Sequence, residues 1–111
     1  MDILTEKRII KIMDVQGDIR KDELLKMARP YTESEIDLLI EQQVDEDGAR
    51  NCFICEKDGM PYYVNIETTQ SMELLNTIIR QLDSELVDIS TAIQKVRQMK
   101  LDLSAISNDQ N

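Results

Sequence analysis

Between Met72 and Val96 the apolar residues recur in alternating steps of three and four, with no Pro or Gly to interrupt them, and Leu103 falls one heptad further on. Written as heptads, Met72, Ile79, Leu86 and Ile93 take the a positions, and Leu75, Leu82, Ile89, Val96 and Leu103 the d positions. A strict seven-residue repeat keeps one apolar seam on one side of a helix. Over about four heptads it predicts a left-handed coiled coil. Ile78, Ala92 and Met99 at g positions widen the stripe, which fits a bundle of more than two helices or a helix touching partner and parent domain together. The alternative is a long helix folded back over its own domain. The expectation is self-association, as a homodimer or small homo-oligomer, through Met72, Leu75, Ile79, Leu82, Leu86, Ile89, Ile93 and Val96.

Setting that helix aside leaves about 65 residues, a size at which one core is marginal and association often supplies the missing burial. The chain of 111 residues carries 22 acids against 13 bases, a net charge of −9. Such a balance opposes non-specific binding to nucleic acid or to an anionic membrane. It contains no His, so the commonest general acid–base group and neutral metal ligand is missing. Acids on predicted helix surfaces and only three glycines leave no phosphate loop and no catalytic constellation. No enzyme activity and no cofactor are expected. Two Cys, no signal-like N-terminus and no long apolar run fit a soluble intracellular protein with no membrane contact.

Taken in order, the spacing predicts a first helix over Asp2–Val15 with Ile9, Ile12 and Met13 inward, broken at Gly17-Asp18. Ile19 makes a short extended contact, and a second helix runs from Lys21 to Ala28. Arg29-Pro30 ends it. Thr32-Glu33-Ser34-Glu35 is a capping box that starts a third helix, Glu33 to about Val44, burying Ile36, Leu39 and Ile40. Two strands follow, Asn51–Glu56 and Met60–Ile66, joined by Asp58-Gly59, a strong two-residue hairpin signal. A tight turn pairs Phe53 with Val64 and Cys55 with Tyr62 on one face, and Ile54 with Tyr63 and Cys52 with Asn65 on the other. Thr68 or Thr69 can cap the long helix.

Three helices followed by a two-stranded wing resemble the winged-helix family, and within it the small regulators that append a C-terminal dimerising helix. The resemblance rests on element order and on the spacing of Ile19 from Glu23-Leu24-Leu25. It implies an α+β, mostly α chain: a winged-helix domain over residues 1–66 and a coiled-coil helix over 67–104, while the loss of periodicity and the polar composition beyond it predict a disordered tail over 105–111. It also implies that the third helix is the one that lies in the DNA major groove in family members that read DNA.

That helix presents Glu33, Ser34, Asp37 and Glu41, and carboxylates repel phosphate and cannot donate to base edges. The expected role is therefore transcription regulation by protein–protein contact, with Glu33, Asp37 and Glu41 binding a basic protein partner such as a DNA-binding protein. One alternative is a dimeric, sequence-specific DNA-binding regulator using Lys7, Arg8, Lys11, Lys21 and Lys57, although charge disfavours DNA. Another is a structural subunit of a larger complex, since Asp83, Glu85 and Arg97 give no complementary pairing code. Cys52 and Cys55 resemble half of a zinc knuckle. Residues three apart in a flat strand point to opposite faces, so the expected metal site is none and the thiols read as small core residues.

Overall fold

The structure, a computed structural model, describes residues 1–83, 96, 98 and 101–105. Helix α1 (Ile3–Gln16) begins at Asp2, whose carboxylate accepts from the Thr5 N–H at 2.8 Å and the Thr5 hydroxyl at 2.9 Å. It ends at Gly17, where φ is +78°. Strand β1 (Asp18–Arg20), helix α2 (Lys21–Met27) and helix α3 (Glu33–Glu41) follow. The expected capping box opens α3: Thr32 Oγ1 accepts from the Glu35 N–H, and the Glu35 carboxylate accepts from the Thr32 N–H. Strands β2 (Cys52–Lys57) and β3 (Met60–Asn65) form the hairpin, and helix α4 (Met72–Asp83) leads away from it. Residues 101–105 are helical as well.

The hairpin register is the one expected, Cys52–Asn65, Phe53–Val64, Ile54–Tyr63 and Cys55–Tyr62. Its turn holds Asp58 at φ +54° and Gly59 at φ +78°, the pair of positive values that a two-residue turn of matching twist requires. The sheet, however, has three strands in the order β1-β3-β2, all antiparallel. Ile19 is thus part of a strand rather than an isolated contact, with Asp18, Ile19 and Arg20 opposite Val64, Tyr63 and Tyr62. β1 stops short of Pro61, whose ring nitrogen has no hydrogen to give a second neighbour.

Successive residues of β2 and β3 face opposite sides, and both sides are covered. On one side Cys52, Tyr63 and Ile19 pack with Ile9 and Met13 of α1, Leu24 of α2 and Ile36, Leu39 and Ile40 of α3. On the other, Phe53, Cys55, Val64 and Ile66 pack with Leu74, Leu75, Ile78 and Leu82 of α4. The result is a small α+β domain with a sheet between two helical layers, compatible with a winged-helix-like arrangement.

This packing corrects the coiled-coil expectation over its first half. Leu75 and Leu82 are covered by the chain's own sheet, Val96 is fully buried in the same cluster, and Met72, Ile79 and Leu103 pack against it half-buried. Leu86, Ile89 and Ile93 lie outside the described residues. The physical reason is stripe width: Leu74 and Ile78 are buried too, making a face broad enough for a sheet rather than a narrow helix seam. α3 also ends earlier than expected, because Val44 leaves it to bridge to Arg50. The cap of α4 is Ser71, whose Oγ accepts from the Leu74 N–H at 3.2 Å, not Thr68 or Thr69.

Thr69 is instead fully buried, and its hydroxyl donates to Asp18 at 2.6 Å. Beside it the Asn65 N–H donates to the Gly17 carbonyl at 2.7 Å, and Asn65 Nδ2 to Asp14 at 3.2 Å. These contacts lock the α1–β1 corner to the β3–α4 corner. A Cβ on Gly17 would sit 2.6 Å from the Thr69 backbone, whereas one on Gly48, also at positive φ, would meet nothing. Gly17→Ala is therefore expected to cost more than about 2 kcal/mol and Gly48→Ala about 1 kcal/mol, read from urea unfolding. Equal costs would show that the two corners are not tightly apposed.

Candidate functional site: the acidic face of the third helix

α3 buries Ile36, Leu39 and Ile40 and turns the rest of its surface outward. Its nine residues include four carboxylates, Glu33, Glu35, Asp37 and Glu41, and no base. These acids are not equivalent. Asp37 sits over Tyr63 of the central strand, whose hydroxyl donates to Asp37 Oδ1 at 2.6 Å. Lys21, the first residue of α2, donates to Asp37 Oδ2 at 3.0 Å and lies 2.7 Å from a Glu33 carboxylate oxygen. The Lys21 side chain is only 12% exposed, with its ammonium 5.7 Å from the centre of the Tyr63 ring. Both Asp37 oxygens are thus occupied within the chain. Glu35 is engaged with Thr32, which holds its carboxyl below the usual range. Glu41 is exposed and makes no ion pair among the described residues.

Burial disfavours charge on Lys21, but its hydrogen bonds to Glu33 and Asp37 outweigh this and leave its pKa raised. Burial, followed by the hydrogen bond and charge of Asp37, pushes the Tyr63 hydroxyl well above the tyrosine range. The cluster is built to stay charged at lysine and neutral at tyrosine. It braces α3 against the sheet.

The acidic surface continues past the end of α3. An open groove of about 460 Å³ is lined by Asp14, Asp45, Glu46, Asp47 and Glu67, with Gln43, Val44 and Asn51. Asp45 orders this loop, its Oδ1 accepting from the N–H groups of Asp47 at 2.9 Å and Ala49 at 2.8 Å. Asp14 and Glu67 are distant in sequence and arrive through the locked corner. Their convergence was not legible from local pattern. Nor was the outward exposure of Leu38 and Val44 beside the acids, at 56% and 55%.

The bases proposed for the DNA alternative divide into two groups. Lys21 is enclosed by Glu33 and Asp37, and Lys57, partly exposed, lies 3.7 Å from Glu73 of α4. Lys7, Arg8 and Lys11 are exposed on α1, and Arg8 Nη2 donates to the Met27 carbonyl at the end of α2, at 3.0 Å. The two cysteines are buried in opposite layers, Cys52 with the α1–α3 core and Cys55 with α4. They cannot grip one ion together, and no group of three or more His, Cys, Asp or Glu suited to a metal occurs among the described residues. Burial and the charge of Asp18 push the Cys55 thiol up to about 12. No described helix is long and apolar enough to cross a membrane. Comparisons with protein-family models, curated proteins and solved structures find no match to this chain.

These environments fix the sign of the pH dependence. Cys55, Tyr63 and Lys21 all have folded pKa values above their unfolded ones, so each favours the fold below its unfolded value and loses that contribution as pH rises. Stability should begin to fall near pH ~9, where the unfolded thiol ionises, and fall more steeply above ~10. Tyr63→Phe should make the steep part shallower and cost about 1 kcal/mol at neutral pH through the lost bond to Asp37. Asp2, held at about 2 chiefly by the Tyr31 hydroxyl and then by Thr5, acts oppositely: its contribution is present above pH ~4 and lost as pH falls toward 2. Urea unfolding across pH tests both limbs, and a profile flat above pH 9 would contradict this assignment. In the native protein the Cys55 thiol should resist iodoacetamide until the chain unfolds.

Proposed function

We propose that this chain is a non-enzymatic, winged-helix-type regulatory protein that acts in transcription regulation through protein contacts made by the acidic side of α3. The observation that carries the reading is the helix itself. In DNA-reading members of the resembling family the equivalent helix enters the major groove and needs donors. Here it carries four carboxylates and no base, and the nearest ammonium, Lys21, is turned inward. The acidic groove extends the same sign of potential beyond the helix. A field of this kind steers a basic surface and repels phosphate.

Within the surface the roles differ. Glu41 and the 45–47 loop meet the partner, Glu33 contributes from the rim, and Asp37 positions the helix through Lys21 and Tyr63. Leu38 and Val44 supply apolar contact among the charges, the arrangement by which an interface gains burial as well as steering. The α4 seam has no part in this contact, since its inner face is already occupied by the sheet.

DNA binding through Lys7, Arg8 and Lys11 is the second reading, favoured by their exposure and lack of ion pairs among the described residues. It predicts an affinity that falls steeply with salt. Affinity capture of the tagged protein from native lysate, with and without nuclease, separates the two. The expected result is a protein partner that survives nuclease and is lost from the Glu41→Lys, Glu46→Lys double variant. Capture of a defined DNA fragment, with proteins lost on nuclease treatment and the double variant unaffected, would overturn the proposal in favour of the second reading.

A further inference from the structure

The solvent side of α1 is the chemical complement of α3. At about 100° per residue, Leu4, Lys7, Arg8, Lys11 and Val15 fall within one sector of about 100° on the helix, and all five are exposed. Leu4 is 80% exposed and Val15 74%. The bond from Arg8 to the Met27 carbonyl brings the end of α2 alongside, adding Lys26, Arg29 and exposed Met27. Elsewhere Arg20, Lys21 and Lys57 each lie within 4 Å of an acid, whereas these five bases, like Arg50 and Arg80, make no ion pair among the described residues. In a molecule of net charge −9, a strip of five unpaired bases, bordered by Asp14 and studded with exposed leucine, valine and methionine, is complementary to a surface that is both acidic and apolar.

The chain itself carries such a surface. On α3 and its C-cap, Ser34, Leu38, Glu41 and Gln42 share an exposed sector, flanked by Glu33 and Glu35 and followed by exposed Val44. Leu4 to Val15 spans about 16 Å along α1, enough to seat the roughly 12 Å from Glu33 to Glu41. Duplex DNA would meet the five bases but leave Leu4, Val15 and Met27 without apolar contact, and it would be opposed by the net charge.

We propose that the basic–apolar face of α1 and the end of α2 seat the acidic–apolar face of α3 from a second copy of this chain. The inference rests on the reading of α3 as an interaction face and names its partner. Reciprocal seating, α1 on α3 in both directions, closes a dimer, whereas one-way seating gives a growing series. Either arrangement buries the exposed leucines and pairs the free charges. It would let the chain self-associate without the α4 seam.

Sedimentation equilibrium of the full chain at physiological salt tests this. The wild type should self-associate, and Lys7→Glu with Lys11→Glu should weaken association at least tenfold. Glu41→Lys with Gln42→Lys, which spares Asp37 and the capping box, should do the same. Mixing the two double variants should restore association, because the reversed charges then face each other; circular dichroism confirms that each variant keeps its fold. A wild-type chain that stays monomeric at every concentration would overturn the inference, as would association that persists in both variants or fails to return on mixing. In any of these cases a nuclease-resistant partner lost on Glu41→Lys, Glu46→Lys would leave the broader reading of α3 standing, with the basic surface on a different protein.

Discussion

Everything in this fold is arranged about β3, a strand paired along both edges and covered on both faces. Its Tyr63 closes the layer of α1, α2 and α3, and its Val64 closes the layer under α4. Removing such a strand would expose two cores at once, so the two layers cannot be treated as independent domains. At its end, Asn65 is buried and binds Gly17 and Asp14, which fixes how the first helix leaves the sheet and how the last one enters it. A chain this short has little apolar area to spare. Covering both faces of a three-stranded sheet is how it obtains enough.

That arrangement has consequences for the surface. Because α4 lies on the sheet, its inner apolar stripe is committed within the chain, and the outward charges of the opposite layer are the ones carried by α1, α2 and α3. There the Lys21–Asp37–Tyr63 cluster divides the acids of α3 by role. One carboxylate is held by an ammonium and a phenol and braces the helix, while Glu41 and the loop beyond remain outward. Charges near one another on a helix thus do different work according to which ones the rest of the fold engages. The bases divide in the same way, with Lys21 and Lys57 facing acids of their own chain and the α1 strip left open.

Local chemistry was legible in the sequence wherever a few adjacent residues decide the outcome. Asp58-Gly59 admits positive φ at both turn positions, and the whole hairpin register follows from it. Thr32 and Glu35 satisfy one another's backbone, so the start of α3 was readable to the residue. The opposed faces of Cys52 and Cys55 followed from the strand period alone. Outcomes decided by distant residues were not readable. A heptad stripe describes an apolar face but not what covers it, and the presence of Leu74 and Ile78 favoured a sheet over another helix. Lys21 looked like one base among several until folding brought it to Asp37, sixteen residues on. Thr69, a plausible cap, is drawn away by Asp18, and Asp14 and Glu67 meet only through the corner at Gly17.

The proposed role of α3 and the 45–47 loop is a surface for a basic protein rather than for nucleic acid. Backbone amide chemical-shift mapping tests it most directly, with an isotopically labelled chain titrated separately by an arginine- and lysine-rich peptide and by a random-sequence DNA duplex. The peptide should shift amides from Glu33 to Asp47, and the duplex should leave them in place. Shifts produced by the duplex on α3, or a peptide that perturbs no amide of that segment, would contradict it.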